Sequence, residues 1–159
     1  MEKIIIAAVS ENLVIGNRGR IPWHSAEELK HFKIATSGFP VVMGRKTWDS
    51  LKKPLTNRLN VILTRNTGFS FSHSNVVICN TISDAVKFCE DRGEEKIFLI
   101  GGEEIFRQTI TIADKMIISK MKFKAEGENY FPDINELEWK LETEIDKKDF
   151  IINVYKRAD

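Results

Sequence analysis

The chain has 159 residues, of which 24 are basic and 23 acidic, giving a formal net charge of +1. This length suits one domain that buries its own core without support from metals or disulfides. The balanced charge excludes the strongly basic surface of a nucleic-acid-binding domain, so an anionic ligand has to be met by locally placed Arg and Lys side chains.

The chain begins with a continuous apolar run over residues 3–9, which predicts a strand covered on both faces. The run lacks the basic start and cleavage site of a signal peptide, and no apolar stretch approaches membrane-spanning length. The two cysteines, Cys79 and Cys89, form no CxxC pair and favour a reducing compartment. We therefore expect a cytoplasmic protein that does not bind a membrane.

Strand and helix patterns alternate from this first strand to about residue 110. A loop is expected over 10–22, and Ser25 is placed to cap a helix over 26–36, with Glu28 completing a capping box. The next predicted elements are a strand at 40–43, a short helix at 45–51, strands at 60–64 and 75–78, a helix bearing Ile82, Ala85, Val86 and Cys89, a strand at 96–100, and a helix bearing Ile105, Phe106 and Ile110.

The remainder of the chain is rich in strand patterns, at 116–122, 139–145 and 150–156. The alternation followed by this tail predicts a single α/β domain, with a mostly parallel sheet and an antiparallel edge. Ligands of such folds bind beyond the carboxyl ends of the strands. Four segments follow strands in this way, namely residues 8–23, 44–47, 64–66 and 100–104.

Two of these segments are suited to phosphate. Gly44 is followed by Arg45, Lys46 and Thr47 at a helix start, although Phe39 occupies the position where a P-loop needs glycine. The pair 101–102 is two glycines that let the backbone approach a ligand, but it is not a GxGxxG motif. An ordinary solvated helix start would look similar in both cases, so neither segment decides the function alone.

Glu28 is the sharpest candidate for chemistry. On a helix it shares a stripe with Phe32 and Ala35, and a carboxylate against an apolar surface has a raised pKa and can grip a cationic, amidine-like edge. The local pattern by itself favours the capping role beside Ser25. The histidines do not have metal-ligand spacing and no nucleophile motif is present, so we expect neither a metal site nor a covalent intermediate.

Taken in order, several motifs of the chain closely resemble the dihydrofolate reductase family. These are Ile6-Ala7-Ala8, Val14-Ile15-Gly16-Asn17, Ile21-Pro22-Trp23 with an acidic residue on the first helix, residues 42–48 with Ser50-Leu51, Pro54-Leu55 with residues 58–65, Ile100-Gly101-Gly102, Glu126-Gly127 and Tyr130-Phe131-Pro132. The resemblance spans essentially the whole chain, 1–159, and it outweighs the capping interpretation of Glu28.

The resemblance implies a mixed, mostly parallel eight-stranded sheet flanked by four helices in one domain. It implies an enzyme that reduces 7,8-dihydrofolate to tetrahydrofolate with NADPH, binds antifolate inhibitors, serves one-carbon metabolism and is a monomer. Glu28 would hydrogen-bond the pterin, Trp23 and Ser119 would organise water around that carboxylate, and Arg58 would take the carboxylate of the glutamate tail. The implied catalytic residues are Glu28, Trp23, Ile21 and Ser119, and the implied substrate-binding residues are Ile6, Ala7, Glu28, Leu29, Phe32, Leu51, Leu55, Arg58, Ile100 and Ser119.

For the cofactor, the resemblance implies backbone contacts to the nicotinamide, a pyrophosphate site at the two glycines, and a 2′-phosphate site at Thr64 and Arg65. Residues 17–21 match a mobile loop that closes over the nicotinamide. The implied cofactor-binding residues are Ala8, Ile15, Gly16, Asn17, Gly44, Arg45, Lys46, Thr47, Leu63, Thr64, Arg65, Ile100, Gly101, Gly102, Glu103, Glu104, Ile105 and Phe106.

The chain departs from the family's common pattern at five positions: Glu28 and Glu128 where Asp is frequent, Phe106 where Tyr is frequent, Ser119 where Thr is frequent, and Glu104 where some members have a cation. None of these changes removes a required chemical role. Two alternatives stay open on the sequence alone, a riboflavin-pathway pyrimidine reductase of the same fold and a pterin- or nucleotide-binding module without turnover.

Overall fold

A computed structural model of the chain describes residues 1–16, 21–66 and 68–159. In chain order the elements are β1 (Glu2–Val9), β2 (Val14–Gly16), α1 (Ala26–Thr36), β3 (Val41–Gly44), α2 (Arg45–Ser50), β4 (Asn60–Leu63), β5 (Val76–Cys79), α3 (Ile82–Asp91), β6 (Lys96–Leu99), α4 (Glu103–Thr109), β7 (Lys115–Met121), β8 (Asn129–Tyr130), β9 (Trp139–Asp146) and β10 (Phe150–Arg157). Within the described ranges, none of the helices is long and apolar enough to cross a membrane.

An eight-stranded sheet forms the centre of the fold, in the order β5-β4-β3-β6-β1-β7-β10-β9. The strands from β5 to β7 run parallel, while β10 pairs antiparallel with both β7 and β9. The prediction of a mostly parallel sheet with an antiparallel edge is confirmed. The carboxyl ends of β1, β3, β4 and β6 consequently meet along one edge of the sheet.

Both faces of the sheet are covered, which explains the continuous apolar run of β1. Because side chains alternate along a strand, Ile4 and Ile6 pack on one face with Phe32 of α1 and Trp48 of α2. Ile5 packs on the opposite face, in the cluster that contains buried residues of α3 and α4. Cys79 and Cys89 are free and buried, as expected of packing residues.

A small two-stranded ribbon of β2 and β8 lies outside the main sheet, and the sequence did not predict it. Residues 10–22 were expected to be loop throughout, yet β2 lies within them and pairs antiparallel with β8. Gly127 packs so tightly against the ribbon that an added Cβ would collide with Gly16 O and Val14 Cγ1. Strands of three and two residues leave no periodic pattern to detect.

Candidate active site

A cavity of about 1040 Å³ opens at the edge of the sheet where the parallel strands end. This volume is at the upper end of the range for small-molecule sites, as a dinucleotide requires. The predicted residues that line it are Ala7, Ala8, Ile15, Gly16, Ile21, Gly44, Arg45, Lys46, Thr47, Leu63, Thr64, Arg65, Ile100, Gly102, Glu103, Glu104, Ile105 and Phe106. Asn17 lies outside the described residues, as does the rest of segment 17–20 of the predicted mobile loop.

Two glycine-bearing strand ends at the cavity, one at Gly44 and one at Gly101-Gly102, hydrogen-bond to each other. Gly44 N–H donates to Gly101 O at 2.8 Å, and the peptide bond between Gly101 and Gly102 is cis. Gly101 has a φ of +107°, and a Cβ there would lie 2.9 Å from the Phe106 ring. Only glycine fits this position, because of its positive φ and the Phe106 ring beside it. Gly44 and Gly102 line the cavity, whereas the predicted cofactor residue Gly101 is not among its lining residues.

The charges around the cavity are mixed, with cations on α2 and after β4 and carboxylates at the start of α4. Arg45, Lys46 and Arg65 line one part, and Glu103 and Glu104 another. Arg45 is held in place, because its guanidinium lies 3.8 Å from the centre of the Phe69 ring and its Nε donates to Asp49 at 3.0 Å. This arrangement is chemically suited to an elongated ligand that carries phosphates.

Glu28 lies beside this edge in a buried position, with only 8% of its surface exposed. Its backbone N–H donates to Ser25 Oγ at 3.2 Å, so the Ser25 half of the capping box is confirmed. Its carboxylate accepts a hydrogen bond from Ser119 Oγ at 3.2 Å. Ser119 on β7 is the register partner of Ala8 on β1, so this bond fixes the carboxylate next to the cavity wall.

Burial raises the pKa of Glu28 from 4.5 to about 7, and the hydrogen bond from Ser119 offsets part of that rise. A carboxyl group with a pKa near neutrality can exist in either protonation state under physiological conditions. It can therefore accept hydrogen bonds from a cationic ligand edge as the anion, or hold a proton as the acid.

An apolar surface adjoins Glu28 on the same face of the sheet. Phe32, Leu51, Leu55 and Ile100 all pack against the cluster that contains Ile6. These four are predicted substrate-binding residues, and the fold places them on one apolar surface. Leu29, another predicted substrate-binding residue, is 48% exposed. A flat aromatic ligand could hydrogen-bond to the Glu28 carboxylate at one end and make apolar contacts along its length.

Two predicted residues, Arg58 and Trp23, are not among the described residues that line the cavity. Arg58 is buried, and it donates from Nε to Thr56 O at 2.8 Å and from Nη1 to Thr36 Oγ1 at 3.0 Å. Burial lowers the pKa of this guanidinium from its usual value. Trp23 packs against a separate cluster of Met121, Phe150 and Ile152 and meets the Phe123 ring edge-on.

Sequence reasoning missed several polar residues on the cavity wall. The segment Asn80, Thr81 and Ile82 lines it just after β5, where Thr81 caps α3. The rule that pointed to the other strand ends applies here too, and it would have found this segment. The other cavity residues that were not named individually as site residues are Ser50, Asn66, Gln108, Glu128 and Asn129, of which Asn66 belongs to the predicted strand-end segment 64–66.

Comparisons with known proteins agree with this geometry. The family model described as dihydrofolate reductase matches residues 3–157. The dihydrofolate reductase of Haemophilus influenzae is 38% identical over 155 residues, covering 98% of this chain and 88% of the relative. That of Bacillus subtilis is 35% identical over 136 residues, covering 86% of this chain and 79% of the relative.

The chain belongs to the dihydrofolate reductase family. A solved structure, dihydrofolate reductase from Enterococcus faecalis complexed with NADP(H) and RAB-propyl, superimposes with a TM-score of 0.89 at 27% identity, covering 99% of this chain and 97% of that one. The dihydrofolate reductase fold expected from the motifs, with its eight-stranded sheet and four helices in the described chain, is therefore confirmed.

Proposed function

We propose that this chain reduces 7,8-dihydrofolate to 5,6,7,8-tetrahydrofolate with NADPH, and that Glu28 grips the pterin. As a member of the dihydrofolate reductase family the chain is an enzyme, and NADPH is its cofactor. The observation that carries the detailed proposal is the buried Glu28 carboxylate, bonded to Ser119 beside a cavity edged with cations.

The residues around the cavity fit NADPH. Its volume suits a dinucleotide, and Gly44 and Gly102 line it, where the absence of a side chain would let the pyrophosphate come close to the backbone. Arg45, Lys46 and Thr47 would bind the pyrophosphate together with the 101–102 turn, and Thr64 and Arg65 would bind the 2′-phosphate. When bound there, NADPH supplies the hydride for the reduction.

Glu28 does the work of orientation and charge stabilisation. Its two oxygens can accept hydrogen bonds from the 2-amino group and the ring N–H of a pterin, a bidentate and charge-assisted contact. This contact strengthens as the ring gains positive charge, so it stabilises the protonated pterin. The proton reaches the ring nitrogen from water, which Trp23 and Ser119 help to place around the carboxylate.

The apolar residues and Arg58 would fix the rest of the substrate. Phe32, Leu51 and Leu55 would enclose the pterin and benzoyl rings, because they form one surface beside Glu28. Arg58 would pair with the carboxylate of the glutamate tail, and its bonds to Thr36 and Thr56 hold the guanidinium ready for that contact. Ile21, at the cavity wall, would help to exclude water.

The test is the loss of NADPH absorbance in the presence of dihydrofolate, comparing the wild type with Glu28→Gln. Glutamine keeps the shape but not the charge that stabilises the protonated pterin, so we expect kcat/KM at neutral pH to fall by roughly 10²- to 10³-fold. Glu27→Gln, an exposed neighbour on the same helix turn, is the matched control and should leave the rate unchanged.

Unchanged turnover in Glu28→Gln would return Glu28 to a helix-capping role and leave the reaction standing. A folded wild type that binds NADPH but does not consume it with dihydrofolate would refute the reaction itself. NADPH consumption with a ribityl-type pyrimidine instead would identify the reductase alternative.

A further inference from the structure

Glu103, in the first turn of α4, makes a connection that reaches beyond its own helix. Its Oε1 accepts a hydrogen bond from the backbone N–H of Tyr130 at 2.6 Å. Its Oε2 pairs with Nη2 of Arg107 at 2.9 Å, one helical turn further on. Both oxygens therefore have strong, charge-assisted partners on different segments of the chain.

The segment that Glu103 reaches belongs to the ribbon. Tyr130 lies in β8 and is the register partner of Val14 in β2. The ribbon is closed further by the bond from Glu128 N–H to Gly16 O at 3.1 Å. The cavity is lined by Ile15, Gly16, Glu128 and Asn129 from the ribbon and by Gly102 to Phe106 from the start of α4. Glu103 thus bridges two walls of one cavity.

Glu104, the adjacent residue, is a carboxylate at the same helix start that does not reach the ribbon. It is exposed and accepts a hydrogen bond from Gln108 of its own helix at 2.8 Å. The preference of helix starts for negative charge applies to both residues alike and does not require a bond to another segment. The geometry of Glu103 is therefore not explained by a preference of helix starts for acidic residues.

The charge of Glu103 would also oppose a phosphate-bearing ligand unless it were compensated. Arg107 supplies the opposite charge, and the Tyr130 N–H directs one oxygen toward the ribbon. Because Arg107 neutralises its charge, the Glu103 carboxylate can bind the ribbon while repelling a phosphate-bearing cofactor only weakly.

We propose that Glu103 is a positioning residue that ties the β2–β8 ribbon to the start of α4 and so couples the ribbon to cofactor binding. The coupling rests on the proposed function, in which NADPH occupies the cavity between the two walls. Occupancy of the α4 wall would then stabilise the ribbon, and loss of the tie would loosen the ribbon wall even with cofactor bound.

Two conservative substitutions of Glu103 separate the effect of its hydrogen bond to Tyr130 from the effect of its negative charge. Glu103→Gln keeps the length of the side chain and an oxygen that can accept from Tyr130 N–H, but removes the charge. Glu103→Asp keeps the charge at the helix start, but shortens the side chain by one methylene and withdraws the acceptor. Arg107→Gln removes only the partner of Oε2, and it serves as the control for the ion pair.

The direct measurement is amide hydrogen exchange of Tyr130 by NMR, with and without NADPH, using the buried Ile118 amide as internal reference for global stability. The proposal predicts that Glu103→Asp speeds Tyr130 exchange by about tenfold or more, while Glu103→Gln and Arg107→Gln stay within about threefold of the wild type. NADPH should slow Tyr130 exchange in the wild type and in Glu103→Gln, and much less in Glu103→Asp.

Steady-state kinetics supplies a second readout, because the tie acts on the cofactor site and not on Glu28. Glu103→Asp should raise the KM for NADPH by several-fold more than it changes the KM for dihydrofolate. Glu103→Gln should not raise the KM for NADPH, because the amide keeps an acceptor for Tyr130 N–H and removes a negative charge from the cavity wall. Equal exchange rates in all variants, or Asp behaving as wild type while Gln does not, would overturn the tie. Exchange needs no turnover, so an inactive wild type would count against the proposed function alone.

Discussion

Glu28 and Glu103 lie at the same edge of the sheet, and the fold treats their carboxylates in opposite ways. Glu28 is buried and has the hydroxyl of Ser119 as its side-chain partner, at 3.2 Å. Glu103 accepts from a backbone N–H at 2.6 Å and pairs with a guanidinium at 2.9 Å. A carboxylate with filled partners holds structure together, whereas a buried one with spare capacity is free to bind a ligand.

The sharpest way to test this contrast is to measure what the burial of Glu28 costs the folded protein. Its pKa rises from 4.5 to about 7, which corresponds to about 3 kcal/mol at 1.36 kcal/mol per unit. For a group whose folded pKa is raised, stability is fully present below 4.5 and is lost as the pH climbs to about 7. The wild type should therefore lose stability over this interval because the buried carboxyl must ionise.

Glu28→Gln removes that ionisation and should be more stable than the wild type by up to about 3 kcal/mol at pH 8, with little difference at pH 4. Urea unfolding followed by circular dichroism at the two pH values measures the difference. Glu27→Gln is the control and should show no comparable pH-dependent gain. A Glu28→Gln variant that is equally stable or less stable at pH 8 would mean that ionising the buried Glu28 carboxyl does not destabilise the fold.

A smaller effect on NADPH binding is expected from substituting Phe69, the residue that holds the Arg45 guanidinium in place at the cavity. Phe69 lies under the Arg45 guanidinium, whereas Phe71 in the same loop packs against Trp48. Phe69→Leu should weaken NADPH binding about two- to fivefold, because it removes a cation–π contact of about 0.5–1 kcal/mol and frees Arg45.

Fluorescence titration with NADPH measures this change, and Phe71→Leu is the matched control with unchanged affinity expected. In an Arg45→Gln background, Phe69→Leu should have no further effect, since the contact it removes is already absent. Equal weakening by both phenylalanine variants would point to a general loosening of the loop instead.

The smallest effect concerns Glu104 at the cavity wall, whose carboxylate pairs with no cation in the described part of the chain and accepts instead from the amide of Gln108. Glu104→Gln should tighten NADPH binding about two- to fourfold at low salt, and the gain should shrink as salt screens the repulsion. Glu90→Gln is the control, since Glu90 lies near the end of α3 that leads back to the amino end of β6. A gain that does not depend on salt, or that Glu90→Gln shares, would contradict an electrostatic origin.

Much of the fold was predictable because its strands and helices are long enough to show their periodicity. The run of β1 and the alternation of elements up to α4 specified the parallel sheet, and the tail specified its antiparallel edge. The ribbon was not predictable, since β2 and β8 are too short for a pattern and are defined by pairing across more than a hundred residues of chain.

The site was predictable in part, through the strand ends that carry glycine and cations. The local pattern could not assign Glu28, because the same residue completes a capping pattern with Ser25, and only the family resemblance placed Ser119, on a strand 91 residues away, near its carboxylate. The link from Glu103 to Tyr130, 27 residues apart, is hidden for the same reason. Contacts between distant segments depend on the tertiary fold, and one sequence read locally does not contain them.

Gly127 has a consequence for how the family's members can vary at this edge. Any side chain there would meet Gly16 O and Val14 Cγ1, so the ribbon would have to move outward to admit it. The ribbon forms one wall of the cavity, and displacing it would widen the cavity that we propose holds the cofactor. The absence of a side chain at position 127 thus limits how far apart the two walls of the cavity can lie.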